Sequence, residues 1–179
     1  MAPTPEEDDA FEAHLQHRLA KRHASTRFFS EESALVGMIG ERVLANHFGL
    51  EPQWAKMKAG DSGIDLWLLL ECPNGRQWVA ADAKASKRGE TLYTPADTTR
   101  RRTIYVWCLA NPQTRQGVLM GWEWGRTMLK HPKRRAIPSV PRLFHCKDMP
   151  MRQIEEIDAR FIRAAHPKPG SPLEPPTME

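Results

Sequence analysis

Two short apolar runs, residues 64–71 and 77–85, flank a turn-like segment within the stretch GDSGIDLWLLLECPNGRQWVAADAKAS at residues 60–86. Both runs are rich in Val, Leu, Ile and Trp, and an Asn-Gly pair between two such runs is a strong hairpin signal. With Asn74 and Gly75 as the central turn residues, Pro73 faces Arg76, Leu70 faces Val79, Trp67 faces Asp82 and Asp65 faces Lys84. Side chains alternate faces along a strand, so this register puts Asp65, Asp82 and Lys84 on one face. A one-residue slip of the turn is expected to send Asp65 to the other face.

Elsewhere the pattern is mainly helical before the hairpin and strand-like after it. Residues 31–48 carry Leu35, Val36, Met38, Ile39, Val43, Leu44 and Phe48 at helical spacing, with Ser30 as N-cap and Gly49 as the stop. Gly37 and Gly40 suit a close approach of that helix to a sheet, and Glu41 follows directly. Residues 5–22 read as a helix with acids first and bases last, as the helix dipole prefers. Its thin apolar content leaves open a loose appendage or part of a DNA or dimer surface. Residues 50–59 read as an irregular strand or connector, and Gly60-Asp61-Ser62-Gly63 as a turn in which Asp61 rivals Asp65 as a ligand.

Residues 103–109 and 118–124 read as strands, with Trp107, Trp122 and Trp124 assigned to the core. A short helix is expected over 125–130, a basic patch over 130–135, a proline-punctuated loop over 137–141 and a closing helix over 151–165. The segment 166–179, with five prolines, reads as a disordered tail. The expected organisation is a helical appendage at 1–29, one domain at 30–165 and the tail at 166–179.

Charge sharpens this picture. The net charge is +4, but acids crowd the first twelve residues. Residues 13–166 hold 25 Lys and Arg against 15 Asp and Glu, a net +10, which favours a polyanionic partner. No apolar run approaches the about 18 residues of a membrane span and no signal peptide is legible, so a cytoplasmic protein is expected. Cys72, Cys108 and Cys146 are far apart, which suggests buried thiols rather than disulfides or a zinc knuckle. Two acids and a lysine on one face can be a surface salt-bridge cluster. Trp67, Val79 and the alanines beside Asp82 argue against a solvated strand and for a site where a hard cation meets a phosphate.

Asp65, then Asp82-Ala83-Lys84 on the next strand, preceded by Gly37-Met38-Ile39-Gly40-Glu41 on a helix, resembles the PD-(D/E)xK nuclease superfamily over about residues 30–125. Gly63-Ile64 stands where the family motif has a proline before its Asp, and Asp82 stands where Glu is commoner. The resemblance implies an α/β, restriction-endonuclease-like fold: a central mixed four- or five-stranded sheet flanked by helices. It implies a Mg²⁺-dependent deoxyribonuclease, with Mn²⁺ as a substitute, and Glu41, Asp65, Asp82 and Lys84 as catalytic residues. Asp65, Asp82, Glu41 and the Ala83 carbonyl are the metal ligands it implies. DNA is the expected partner, contacted by Lys87, Arg88, Tyr93 and the run Arg100, Arg101 and Arg102; a homodimer is left open. Alternatives are a junction-resolving nuclease or a nuclease-like binding module without activity.

Overall fold

The computed structural model describes residues 5–20, 30–51, 64–88, 93–133, 135–137, 140–149, 151–167 and 175–177. The turn at 60–63 with Asp61, most of the connector at 50–59 and most of the tail lie outside the described residues. The elements in chain order are α1 (Pro5–Ala20), α2 (Glu31–His47), β1 (Leu66–Cys72), β2 (Gly75–Ser86), β3 (Tyr93–Pro95), β4 (Thr103–Asn111) and β5 (Gln116–Trp124). They continue with α3 (Gly125–Lys130), β6 (Arg135–Ile137), β7 (Val140–His145), a 3-10 turn (Cys146–Asp148), α4 (Glu155–Asp158) and β8 (Phe161–Ala165). Five strands form one mixed sheet in the order β5-β4-β2-β1-β8, in which β4 runs parallel to β2 and the other neighbours are antiparallel. β3, β7 and β6 make a second, three-stranded sheet. The architecture is thus α/β, with a five-stranded mixed sheet flanked by helices. Among the described residues no helix is long and apolar enough to cross a membrane.

The hairpin forms, but with a different turn. Cys72 pairs with Gly75, Leu68 with Val79 and Leu66 with Ala81, so Pro73 and Asn74 are the turn residues and Gly75 opens β2 at φ +94°. Proline's fixed φ suits the first central turn position, and glycine takes the positive φ that follows. The turn has slipped by one residue, which moves every partner by two. An even shift leaves each residue on its face, so the expected loss of the shared face does not follow. Trp67 now faces Ala80 rather than Asp82.

One face of the sheet holds Leu66, Leu68, Leu70, Val79, Ala81, Ile104 and Val106, packed with Leu44 and Ala45 of α2, with Phe48 at its C-cap and with Ile154 and Ile157. Ser30 and Ser33 cap the helix start reciprocally. Gly49 at φ +71° ends it, with Leu50 N–H returning to the Ala45 carbonyl. Gly40 is where α2 meets the sheet: a Cβ there would lie 2.6 Å from the Ala85 Cβ. Gly37 has open space and makes no such approach. On the opposite face Tyr105 and Trp107 are buried with Met128 of α3, Phe144 of β7, Cys146 and Met149. Trp107 and Trp122 are core residues, as expected.

α1 is docked through Phe11, fully buried, and Leu15 against α2. The Arg42 and Arg115 guanidinium groups lie 4.9 and 5.2 Å from the Phe11 ring centre. Arg115 pairs with Glu12 at 2.8 Å, and Arg42 donates to the Arg115 carbonyl.

The C-terminal part departs from expectation. Instead of a helix over 151–165 there is one helical turn, α4, followed by β8, which pairs antiparallel with β1. Ile154 and Ile157 fill the core from the turn, while Phe161 packs at 4.8 Å from the Phe48 ring. The open edge of β1 offers backbone groups that a strand satisfies and a helix does not. Of the loop expected over residues 137–141, Ile137 ends β6 and residues 140 and 141 open β7, while residues 138–139 lie outside the described residues.

Candidate active site

Asp65 immediately precedes β1. Its N–H donates to the carbonyl of Ala81, which already pairs with Leu66, so two residues oppose one in the manner of a bulge. Asp65 therefore does not face Lys84 across the hairpin, as the expected register had it. With β1 ended, the Ala83 N–H has no strand partner on that side, and Asp65 Oδ2 accepts it at 2.6 Å. The carboxylate thus stands where the next strand residue would be.

Asp82 and Lys84 lie on the face opposite α2, level with Tyr105 and Trp107 of β4. Lys84 Nζ donates to Asp82 Oδ1 at 2.6 Å, and Asp82 is 5 % exposed. Burial works against the lysine's charge, but the carboxylates of Asp82 and Asp65 outweigh it and hold Lys84 above its ordinary range, so it stays an ammonium at neutral pH. For Asp65 the balance runs the other way. Burial, then the Glu41 carboxylate, then that of Asp82 raise its pKa well above the usual value, and Lys84 and the Ala83 N–H do not cancel them. Glu41 of α2 and the Asp82–Lys84 pair reach Asp65 from opposite faces of the sheet. The four residues singled out in the sequence are electrostatically one group.

Donor chemistry fits a hard cation: Asp65, Asp82 and Glu41 offer carboxylates, and Ala83 offers a backbone carbonyl beside them. Among the described residues no three His, Cys, Asp or Glu side chains are close enough to enclose a metal ion. Mg²⁺ does not require such a cage, since it keeps several waters and binds through one or two carboxylates plus substrate phosphate.

The basic residues are distributed less simply. Lys87 is exposed and bonds both Glu32 carboxylate oxygens at 2.8 Å, tying the end of β2 to the start of α2. The Arg88 N–H donates to Ser86 Oγ at 3.1 Å. Tyr93 opens β3, opposite His145 in the second sheet. Arg100, Arg101 and Arg102 are exposed and precede Thr103, which pairs with Ala80. Because β4 is parallel to β2, the run lies toward the start of β2 rather than beside its end. In the patch at 130–135, Asp148 binds Lys133 at 2.5 Å and Arg135 at 2.6 Å, which holds its carboxyl far below the usual range.

Sequence reasoning passed over Tyr105. It is 1 % exposed, its Oη accepts the Arg100 N–H at 2.8 Å, and Lys84 Nζ lies 5.8 Å from its ring centre. Burial raises its pKa, so the phenol keeps its proton. Alternation along β4, with Tyr105 and Trp107 on one face, is the signal that could have found it. Cys108 is buried on the α2 side, where Sγ approaches the Gly40 carbonyl at 3.8 Å; burial, then Asp65, push its thiol up. No family model, curated protein or solved structure matches the chain.

Proposed function

We propose that the chain is a Mg²⁺-dependent deoxyribonuclease of the PD-(D/E)xK type with a restriction-endonuclease-like fold, an endonuclease that hydrolyses phosphodiester bonds in DNA. The observation that carries this reading is Asp65. Its half-buried carboxylate is placed at a strand end between two other acids, with its pKa raised by burial and by both of them. A purely structural acid gains nothing from such a position, whereas a divalent cation would relieve it.

Asp65 and Asp82 would hold the cation, with Glu41 contributing directly or through water and the Ala83 carbonyl completing the shell. When bound, the ion supplies a water of lowered pKa and stabilises the leaving oxygen. The Ala83 N–H fixes one Asp65 oxygen, which orients the carboxylate. Lys84, kept charged by Asp82, orients the attacking water and offsets negative charge developing at the phosphate. Displacement of the leaving oxygen by water needs no covalent link to the protein.

The test is incubation of purified protein with plasmid, linear, single-stranded and branched DNA in Mg²⁺, Mn²⁺ or EDTA. Cleavage that needs the cation is expected; preference for branched DNA would assign the junction-resolving alternative. The ion pair that already engages Lys84 with Asp82 favours a second reading, a nuclease-like module that binds DNA without cutting it. Tight DNA binding without cleavage on any substrate would select it.

A further inference from the structure

The backbone of the arginine run is held at several points. The Arg100 N–H donates to Tyr105 Oη at 2.8 Å, the Arg100 carbonyl accepts the Thr103 N–H at 3.3 Å, and the Arg101 carbonyl accepts the Arg126 N–H at 3.1 Å. Gly125 backs onto the Arg100 carbonyl so closely that a Cβ has no room. All three arginines are nevertheless exposed. A run that served only solubility would need no such fixation. The tyrosine that ties it down lies level with Asp82 on the neighbouring strand, and its ring is 5.8 Å from the Lys84 ammonium. One aromatic ring therefore separates the arginine backbone from the acid and lysine pair.

We propose that Tyr105 is a positioning residue that fixes the Arg100, Arg101 and Arg102 run relative to the Asp82–Lys84 pair, so that phosphates flanking the reacting one are held at a set distance from it. This rests on the nuclease reading for its substrate, a polynucleotide strand that extends beyond the cleaved bond. Guanidinium forks suit phosphates, and an ordered backbone loses less freedom on binding than a mobile one. The hydroxyl is the part that matters: phenylalanine keeps the ring beside Lys84 and leaves the Arg100 N–H without its acceptor.

Tyr105→Phe and Gly125→Ala, made in the full chain, disturb the run from two sides. Three readouts apply: trypsin nicking within residues 100–102, affinity for a short DNA duplex in EDTA over a salt series, and steady-state cleavage. Both variants should be nicked faster, bind about five- to tenfold more weakly with a shallower salt slope, and show KM raised by the same factor with kcat within about twofold. Faster nicking with unchanged affinity and KM overturns the proposal, as does a fall in kcat alone. Should Gly125→Ala not fold, Tyr105→Phe decides. A wild type that cuts nothing removes the nuclease reading, and nicking and affinity still decide whether Tyr105 positions the run.

Discussion

Replacing Asp65 by Asn should make the protein more stable, the reverse of what removing a structural acid does. Asn keeps an oxygen for the Ala83 N–H, so the 2.6 Å bond survives in neutral form while the charge disappears. That charge faces Glu41 and Asp82, which repel it, and Lys84, which attracts it. Taking about 6 Å for each pair and an effective dielectric near 20, every pair amounts to about 3 kcal/mol. The lysine offsets about one of the two repulsions, and burial adds its own cost. Asp65 is half-buried, so water and salt reduce the remainder to about 1–2 kcal/mol. For a chain of this size that is about 3–6 °C in Tm. The pH dependence carries a sign. The folded carboxyl titrates above its unfolded value near 3.9. As pH rises past that value, the unfolded chain releases its proton first, and wild-type stability falls until the folded pKa is passed. The gain from Asn should thus vanish near pH 3 and grow as pH rises from there toward the folded carboxyl's raised pKa. Thermal unfolding of both proteins across that range, without divalent cations, is the assay. An Asn variant that melts at or below wild type at pH 7 would refute the electrostatic account of the site. Adding Mg²⁺ should then raise the Tm of wild type more than that of the variant.

Asp82→Asn should weaken Mg²⁺ binding and abolish cleavage, while Lys84→Ala abolishes cleavage with metal affinity much less affected; paired calorimetry and cleavage assays check this, and normal cleavage by Asp82→Asn would defeat the site assignment. Replacing Arg100, Arg101 and Arg102 together by Ala should weaken DNA binding across all sequences and flatten its salt dependence by up to about three phosphate contacts, measured by anisotropy. Phe11→Ala should cost about 3–4 kcal/mol in urea unfolding, because Phe11 is fully buried beneath two guanidinium groups. A loss under 1 kcal/mol would return α1 to a loosely held appendage.

What the sequence made legible was local. Alternation along the hairpin placed Asp82 and Lys84 together, and Ser30 and Gly49 marked the ends of α2, because caps and faces depend on neighbouring residues. The turn was misplaced because two local signals compete: Asn74-Gly75 suits one hairpin turn, and Pro73 imposes another. The helix expected over 151–165 failed for a different reason. Ile154 and Ile157 occupy a real helical turn, and Phe161 and Ile162 continue the spacing by coincidence in a strand. Only β1, some ninety residues earlier, dictates that strand. Asp65's role as a stand-in for a missing strand residue was equally hidden, since it depends on where β1 begins. Tyr105 was missed because Lys84 meets it only through the parallel pairing of β4 with β2, and because the turn that brings the Arg100 N–H back to its hydroxyl has no hydrophobic pattern to mark it.

The position of β8 bears on how the protein is made. During synthesis, β1 and β2 can pair as soon as both leave the ribosome, but the outer edge of β1 stays unpaired until Phe161–Ala165 emerges. That edge belongs to Leu66–Cys72, whose first five residues are all apolar and buried, and exposed edges of this kind recruit other strands. Nascent chains halted before β8 should therefore be prone to association through β1. The strand that carries no proposed chemistry would be the one that keeps the hairpin beside Asp65 from pairing with another molecule.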